Sequence, residues 1–234
     1  MQQSVKYLYH YGSDEQIAKI ARNATGSDNT EVERFINFLI RKEHLQPFEF
    51  GGIVFQIECP LYIRSQFMRH RTFSYCELSR RYNSENIEFY DYEWKIGKFQ
   101  CVDDAKKNYE FLIETEVSSE DARAILPQCT MTKFIVRCDI RNLMHFLKLR
   151  LDKHAQREIR QIARRMFEMF EELFPFTAKA FSNYILNAVT FSKTEMIWIK
   201  EFFSMYCDRN TTLDLYDDTN FTKNELDEFL NKLK

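Results

Sequence analysis

Glycine is scarce: the 234 residues hold five, with one adjacent pair, Gly51-Gly52. No G-x-G-x-x-G and no G-x-x-x-x-G-K-[ST] occurs, which excludes a Rossmann fingerprint and a P-loop. A nucleotide must then be held by side chains, helix ends or ordinary turns. No apolar run approaches the roughly 18–20 residues that span a bilayer. The N-terminal Met1-Gln2-Gln3-Ser4-Val5 lacks a charged region followed by an apolar run, so no secretory signal is read there. The six cysteines, Cys59, Cys76, Cys101, Cys129, Cys138 and Cys207, are scattered without a C-x-x-C pair. That spacing suits neither a disulfide framework nor a zinc site. A strong charge excess is also absent: the net charge is −2, whereas a dedicated nucleic-acid binder is usually basic. The expectation is a soluble, cytoplasmic chain with reduced thiols, no metal, and neither nucleic acid nor membrane as partner.

What is present is apolar surface: 44% hydrophobic residues, including 22 Phe. That suffices for one good-sized core, or a core with a small appendage. Helices are expected over 13–24, with Ser13 as N-cap, and over about 30–43, with Val32, Phe35, Phe38 and Leu39 at helical spacing. Ile53 to Cys59 is β-branched and aromatic and reads as a strand. Pro60 suits the first turn of a helix running to about Arg69. A polar loop is expected over 71–79, a short strand at Ile87 to Tyr90 and a helix over 101–117. Ser118-Ser119-Glu120-Asp121 is a capping box for a short helix that ends near Pro127. Thr132 to Cys138 reads as a strand, after which Asp139 caps a helix. An amphipathic helix over 154–174 presents Ile159, Ile162, Ala163, Met166, Phe167 and Phe170, and Pro175 terminates that region. From about 190 the character changes. Asp217-Asp218-Thr219-Asn220 reads as a turn, and Thr222-Lys223-Asn224-Glu225 as a second capping box. The fold class is α+β, helices around a small mixed sheet, with a main domain over 1–190 and a helical appendage over 191–234.

The candidate chemistry is cationic. Arg69-His70-Arg71 closes a helix, Arg80-Arg81 follows a loop, and Glu77 lies between the two clusters. Guanidinium forks match phosphate oxygens. Glu77 can accept from a sugar hydroxyl or a ring N–H. On composition alone, a solvated basic helix end accounts for these residues equally well. Arg141, His145 and Arg150 form a second group on the helix after Asp139. Arg123 is a third cationic position.

The run Arg69-His70-Arg71-x7-Ser79 resembles the R-H-R-x7-S signature of flavin-dependent thymidylate synthases, and its Glu77-x-Ser79-x-Arg81-Tyr82 ending follows that family. Three further segments resemble it in order: His44-x-x-Pro47-Phe48-Glu49, Arg123-x-x-Leu126-Pro127, and Leu149-Arg150-Leu151-Asp152-x-His154-Ala155-Gln156-x-Glu158-Ile159. The resemblance covers roughly 14–185. It implies a dUMP site lined by Gln66, Arg69, Glu77, Ser79, Arg80, Arg81, Arg123 and Arg150. It implies FAD contacts from His44, Gln46, Arg69, His70, Arg71, Glu77, Asp139, Arg141 and His145. It also implies a homotetramer with cofactor sites between subunits, 5,10-methylenetetrahydrofolate as carbon donor and NADPH as reductant. Arg150 is the expected catalytic residue, a fixed cation that stabilises the pyrimidine anion.

The sequence departs from the family in places. Gln46 replaces a Thr, Asp139 stands where Asn is common, Arg80 replaces a Gly, and Ala21-Arg22-Asn23-Ala24-Thr25 lacks an aligned Ser. Ser79 is disfavoured as a nucleophile because no strong base adjoins it. Cys76 is more nucleophilic, but the matching family position is not a required thiol. The competing readings are a nucleic-acid module, a nucleotide-binding homologue without turnover, and a flavin-free synthase using a cysteine.

Overall fold

A computed structural model describes residues 2–23, 26, 31–83, 86–91, 100–206 and 223–233. By internal contacts the chain divides into two compact units, Met1–Asn187 and Ala188–Lys234.

The first unit is built on four strands: β1 (Ser4–Tyr11), β2 (Gly52–Pro60), β3 (Ser74–Glu77) and β4 (Met131–Asp139). Their order is β1-β2-β4-β3, and every pairing is antiparallel. The expected mixed sheet is thus corrected. The reason is legible in β4, where Phe134, Val136 and Cys138 are buried while Lys133, Ile135 and Arg137 are exposed. A strand with one wet face suits antiparallel pairing, whereas parallel strands are usually covered on both faces. β1 was not anticipated. It is an edge strand with no fully buried residue, and an irregularity between Tyr7 and Tyr9 breaks its period of two. β3 replaces part of the expected 71–79 loop. It is short and polar, and only pairing with β4 makes it a strand.

Ten helices in chain order accompany the sheet among the described residues: α1 (Asp14–Asn23), α2 (Val32–Arg41), α3 (Leu61–Phe67), α4 (Gln100–Glu114), α5 (Ser119–Ala122), α6 (Ile140–Arg150), α7 (Arg157–Leu173), α8 (Pro175–Phe181), α9 (Lys193–Tyr206) and α10 (Lys223–Leu233). The capping expectations at Ser13, Ser118 and Asp139 hold. Ser13 Oγ accepts from Gln16 N at 3.3 Å, Ser118 Oγ from Asp121 N at 3.2 Å, and Asp139 Oδ1 from Asn142 N at 2.9 Å. Pro60 ends β2 and caps α3, which stops at Phe67 rather than Arg69. α2 buries Ile36, Leu39 and Ile40, while Phe38 is exposed.

α7 stops at Leu173, just before Pro175 as expected, and Pro175 is itself the first residue of a further helix, α8. Asp14, at the start of α1 and 2% exposed, caps α8 from a distance in sequence. It accepts from Phe176 N at 2.8 Å, from Thr177 N at 3.2 Å and from the Thr177 hydroxyl. Burial raises its carboxyl above the ordinary range, against those hydrogen bonds.

Phe55, Ile57, Phe134 and Val136 of the sheet share one core with Phe67, Phe146, Ile162, Met166 and Phe170 of the helices. A smaller cluster joins Ile87, Tyr109 and Ala122. Phe89 bridges Thr130 where a strand was expected at 87–90.

In the second unit, α9 exposes Ile197, Trp198, Phe202 and Met205, and Phe203 packs against Phe229 of α10. The turn expected at 217–220 and Thr222 lie outside the described residues. No helix among the described residues is long and apolar enough to cross a membrane.

Candidate active site

The site starts where α3 runs out. His70 N donates to Phe67 O at 2.9 Å and Phe73 N to His70 O at 3.2 Å, so the chain turns tightly through Arg69-His70-Arg71. Tyr75 of β3 braces this turn from beneath. Its hydroxyl donates to Phe67 O at 2.6 Å and His70 O at 3.1 Å, and burial pushes its pKa up.

The turn sorts the motif by polarity. His70 points inward and is 8% exposed, between Phe146 at 4.8 Å and Phe73 at 5.7 Å. Arg69 and Arg71 point outward and are exposed. Arg150 ends α6 and donates from Nε to His70 Nε2 at 3.1 Å, with Nη2 at 3.4 Å from Gln66 O. Burial lowers the His70 pKa to about 4, assisted by Arg150 and by His145, whose ring is 6.4 Å away. His70 is therefore neutral at pH 7. With Nε2 accepting, its proton belongs on Nδ1. The Arg150 pKa is lowered by burial and then by Arg69, yet guanidinium stays charged in proteins. Two cations therefore stand close enough here to repel one another.

Glu77 lies at the end of β3. Arg64 of α3 donates to Oε2 from Nε at 2.8 Å and again from Nη2, while Thr132 Oγ1 donates to Oε1 at 2.9 Å. The sequence reading missed Arg64, Thr132 and Tyr75. Arg64 could have been noticed as the lone cation inside the otherwise apolar start of α3.

Beyond Glu77 the backbone folds onto Ser79. Ser79 O accepts from Tyr82 N and Asn83 N, and Ser79 Oγ from Arg81 N at 3.3 Å. Among the described residues no base is hydrogen-bonded to that hydroxyl. Arg81 pairs with Glu120 at 2.9 Å, and Arg123 Nε donates to Glu120 O at 3.2 Å, so both cations meet at one residue. Arg80 turns instead toward Asn86 O and Met131 O, each 3.5 Å away, and burial lowers its pKa.

The other expected positions spread along α6 and the 3-10 turn Gln46–Phe50. Gln46 begins that turn, and Arg141 pairs with Glu49 inside it. His44 lies 6.1 Å from Phe38, and His145 is exposed. Asp139 is 8% exposed and accepts from Asn142 N and, at 2.8 Å, from Asn142 Nδ2. Its carboxylate is thus occupied in capping α6. Gln66 Nε2 donates to Gln156 Oε1 at 2.6 Å. The structure therefore groups Gln66, Arg69, His70, His145 and Arg150. It groups Arg81 with Arg123, and Arg141 with the Gln46 turn. No hydrogen bond or ion pair among the described residues joins His44, Gln46 or Arg141 to His70 or Arg150.

The donor set fits a phosphorylated cofactor. Arg69 and Arg71 have no acidic partner among the described residues, and the nearby Glu77 is already engaged by Arg64. Two open grooves lie away from this centre, one lined by Asn108, Phe111 and Ile125, the other by Glu171, Lys179 and Asn183. Neither gathers convergent cations. Among the described residues no cluster of three His, Cys, Asp or Glu side chains could hold a metal ion.

The family model "Thymidylate synthase complementing protein" matches residues 6–176. A flavin-dependent thymidylate synthase of Pseudothermotoga lettingae is 37% identical over 199 residues, covering 77% of this chain and 90% of that protein. One from Thermus thermophilus is 33% identical over 216 residues, covering 82% and 80%. A crystal structure of the UMP/dUMP methylase PolB from Streptomyces cacaoi, bound with 5-Br dUMP, superposes with a TM-score of 0.72 at 27% identity. That match covers 78% of this chain and 96% of the other.

Proposed function

The chain belongs to the flavin-dependent thymidylate synthases and methylates dUMP to dTMP, and from that premise we propose the route by which it does so. Uracil C5 is a weak nucleophile, and carbon attaches there only when electron density is raised in the ring. FAD reduced by NADPH supplies the hydride that completes the methyl group, and 5,10-methylenetetrahydrofolate supplies its carbon.

Arg150 is the catalytic residue of this reading. The observation that carries it is the bond from Arg150 Nε to His70 Nε2, which fixes a partly buried guanidinium against a neutral ring. A fixed cation stabilises negative charge on N3 and the flanking carbonyl oxygens as that charge develops. Because the guanidinium is held before substrate arrives, little reorganisation is needed in the reaction. His70 cannot replace Arg150 as the cation, since it is neutral at working pH. Arg150 cannot be the proton acceptor, because its pKa lies far above neutrality.

In the dUMP site, Arg69, Arg81 and Arg123 anchor phosphate, Gln66, Ser79 and Arg80 belong to the same wall, and Glu77 takes a sugar hydroxyl. FAD is held by Arg69, His70, Arg71 and His145 with Glu77, and by His44, Gln46, Asp139 and Arg141. No hydrogen bond or ion pair among the described residues joins His44, Gln46 or Arg141 to the His70 turn. That separation supports a homotetramer in which each flavin is held by residues of several subunits. Asp139 acts there by holding α6 in place, since its oxygens already accept from Asn142. The reaction runs without a protein nucleophile and in the cytoplasm.

The test is dTMP formation under low oxygen from dUMP, 5,10-methylenetetrahydrofolate, NADPH and FAD. The matched reactions omit FAD or use Arg150→Ala. The expected result is dTMP that requires FAD and falls about 10²–10³-fold in the variant. Product formed without any flavin overturns the reading. Light scattering that finds only monomer with FAD present overturns the shared site.

A further inference from the structure

We propose that Arg64, Glu77 and Thr132 form a clasp that positions the substrate-binding loop, with Arg64 and Thr132 as positioning residues that do not themselves touch substrate. The proposal rests on the reading of Glu77 as part of the dUMP site.

The first observation is topological. Arg64 and Glu77 lie thirteen residues apart, and the segment between them contains Arg69, His70 and Arg71. Their ion pair closes this segment at its base. Joining the ends of a loop removes conformational freedom before any ligand arrives. The Tyr75 hydroxyl braces the same segment at Phe67 O and His70 O, so the loop is tied at its base and at its turn.

The second observation is the saturation of one carboxylate. Both Arg64 donors converge on Oε2, and Thr132 takes Oε1. An ionised carboxylate offers about four acceptor positions. Three are filled from α3 and β4, which leaves one for a ligand donor. A carboxylate so occupied is a poor general base and a well-aimed acceptor for a single hydroxyl. Thr132 is 5% exposed, so its hydroxyl has little access to water as an alternative partner.

The third observation concerns what lies beside the clasp. Cys59 is fully buried, and its pKa is pushed up by that burial and then by Glu77, against Arg64. It is held as an unreactive thiol, so the clasp serves no thiolate. Leu78 N donates to Lys133 O at 2.9 Å, which carries the fixed geometry of Glu77 on toward Ser79 and Arg81.

The test compares Arg64→Ala, Arg64→Lys and Thr132→Val in flavin-loaded enzyme, by steady-state kinetics and by direct titration with dUMP. Loss of a charge-assisted pair costs about tenfold in affinity. Arg64→Ala should therefore raise KM for dUMP about tenfold with kcat within about twofold. Arg64→Lys keeps the charge but loses the two-toothed grip, and should recover part of that loss. Thr132→Val should raise KM about threefold. A purely structural role predicts a smaller active fraction with unchanged KM and unchanged dUMP affinity, and that result overturns the clasp. If Arg64→Ala fails to fold, Arg64→Lys and Thr132→Val decide the matter. Wild-type protein that makes no dTMP sinks the functional reading instead, while the dUMP titrations still judge the clasp.

Discussion

Acidification from pH 7 to pH 5 should cost the protein about 2 kcal/mol of stability through His70 alone. The ring has an ordinary value of 6.5 when solvated and about 4 in the fold, because burial between Phe73 and Phe146 and the adjoining Arg150 penalise its charged form. A depressed folded value means that the unfolded chain takes up the proton first. The neutral ring's contribution is complete above pH 6.5 and is withdrawn as pH falls toward 4. At pH 5 the unfolded ring is almost fully protonated and the folded ring is not, which gives the figure above. The comparison to make is wild type against His70→Gln. Glutamine keeps an oxygen to accept from Arg150 Nε and has nothing to titrate. Urea unfolding of both at pH 7 and pH 5 should show the wild-type midpoint falling further, by roughly 1 M, than that of the variant. Equal pH sensitivity in the two proteins would refute the claim that His70 is buried neutral beneath Arg150.

Three further outcomes are expected. Tyr75→Phe removes a hydroxyl that serves two carbonyls of the Arg69–Phe73 turn, so it should cost about 1 kcal/mol and speed amide exchange at Phe73; unchanged exchange counts against the brace. Asp14→Ala strips the cap from α8 in a buried setting and should cost about 2–4 kcal/mol by chemical denaturation, and a loss below about 0.5 kcal/mol would show that α8 does not depend on it. Cys76→Ser should retain dTMP formation, because Cys76 is an exposed thiol on an edge strand with no assigned step; full loss of turnover with intact folding and dUMP binding would restore a cysteine mechanism.

The elements with their own local signals were readable in advance. Ser118 and Asp139 announce their helices because a cap is a local event, decided within three residues. The face of α7 follows from its period. β1 and β3 were not readable, because edge strands are made by their neighbours: Ser74 to Glu77 carries no alternation, and only β4 makes it extended. Pro175 marked the end of α7, but the helix it opens was not legible, because Asp14, which caps α8, is remote in sequence. At the site, the motif residues were visible as residue types. The inward turn of His70 was not, since it depends on Phe73 and Phe146 meeting around it. Arg64 and Thr132 escaped notice because their role comes from Glu77, which reaches them only through folding.

α6 starts at the cap Asp139 and ends on Arg150, so one helix carries both a buried carboxylate and the cation assigned to catalysis. The aligned peptide dipoles of such a helix place partial negative charge at its C-terminal end, a favourable seat for a cation worth about 0.3–1 kcal/mol. The same end is a poor seat for an anion. In the proposed site Arg150 is a converter, turning a helix terminus that would repel a pyrimidine anion into one that attracts it. On that reading a neutral residue at position 150 would do more than remove an attraction: it would leave the bare carbonyl end toward the proposed substrate position.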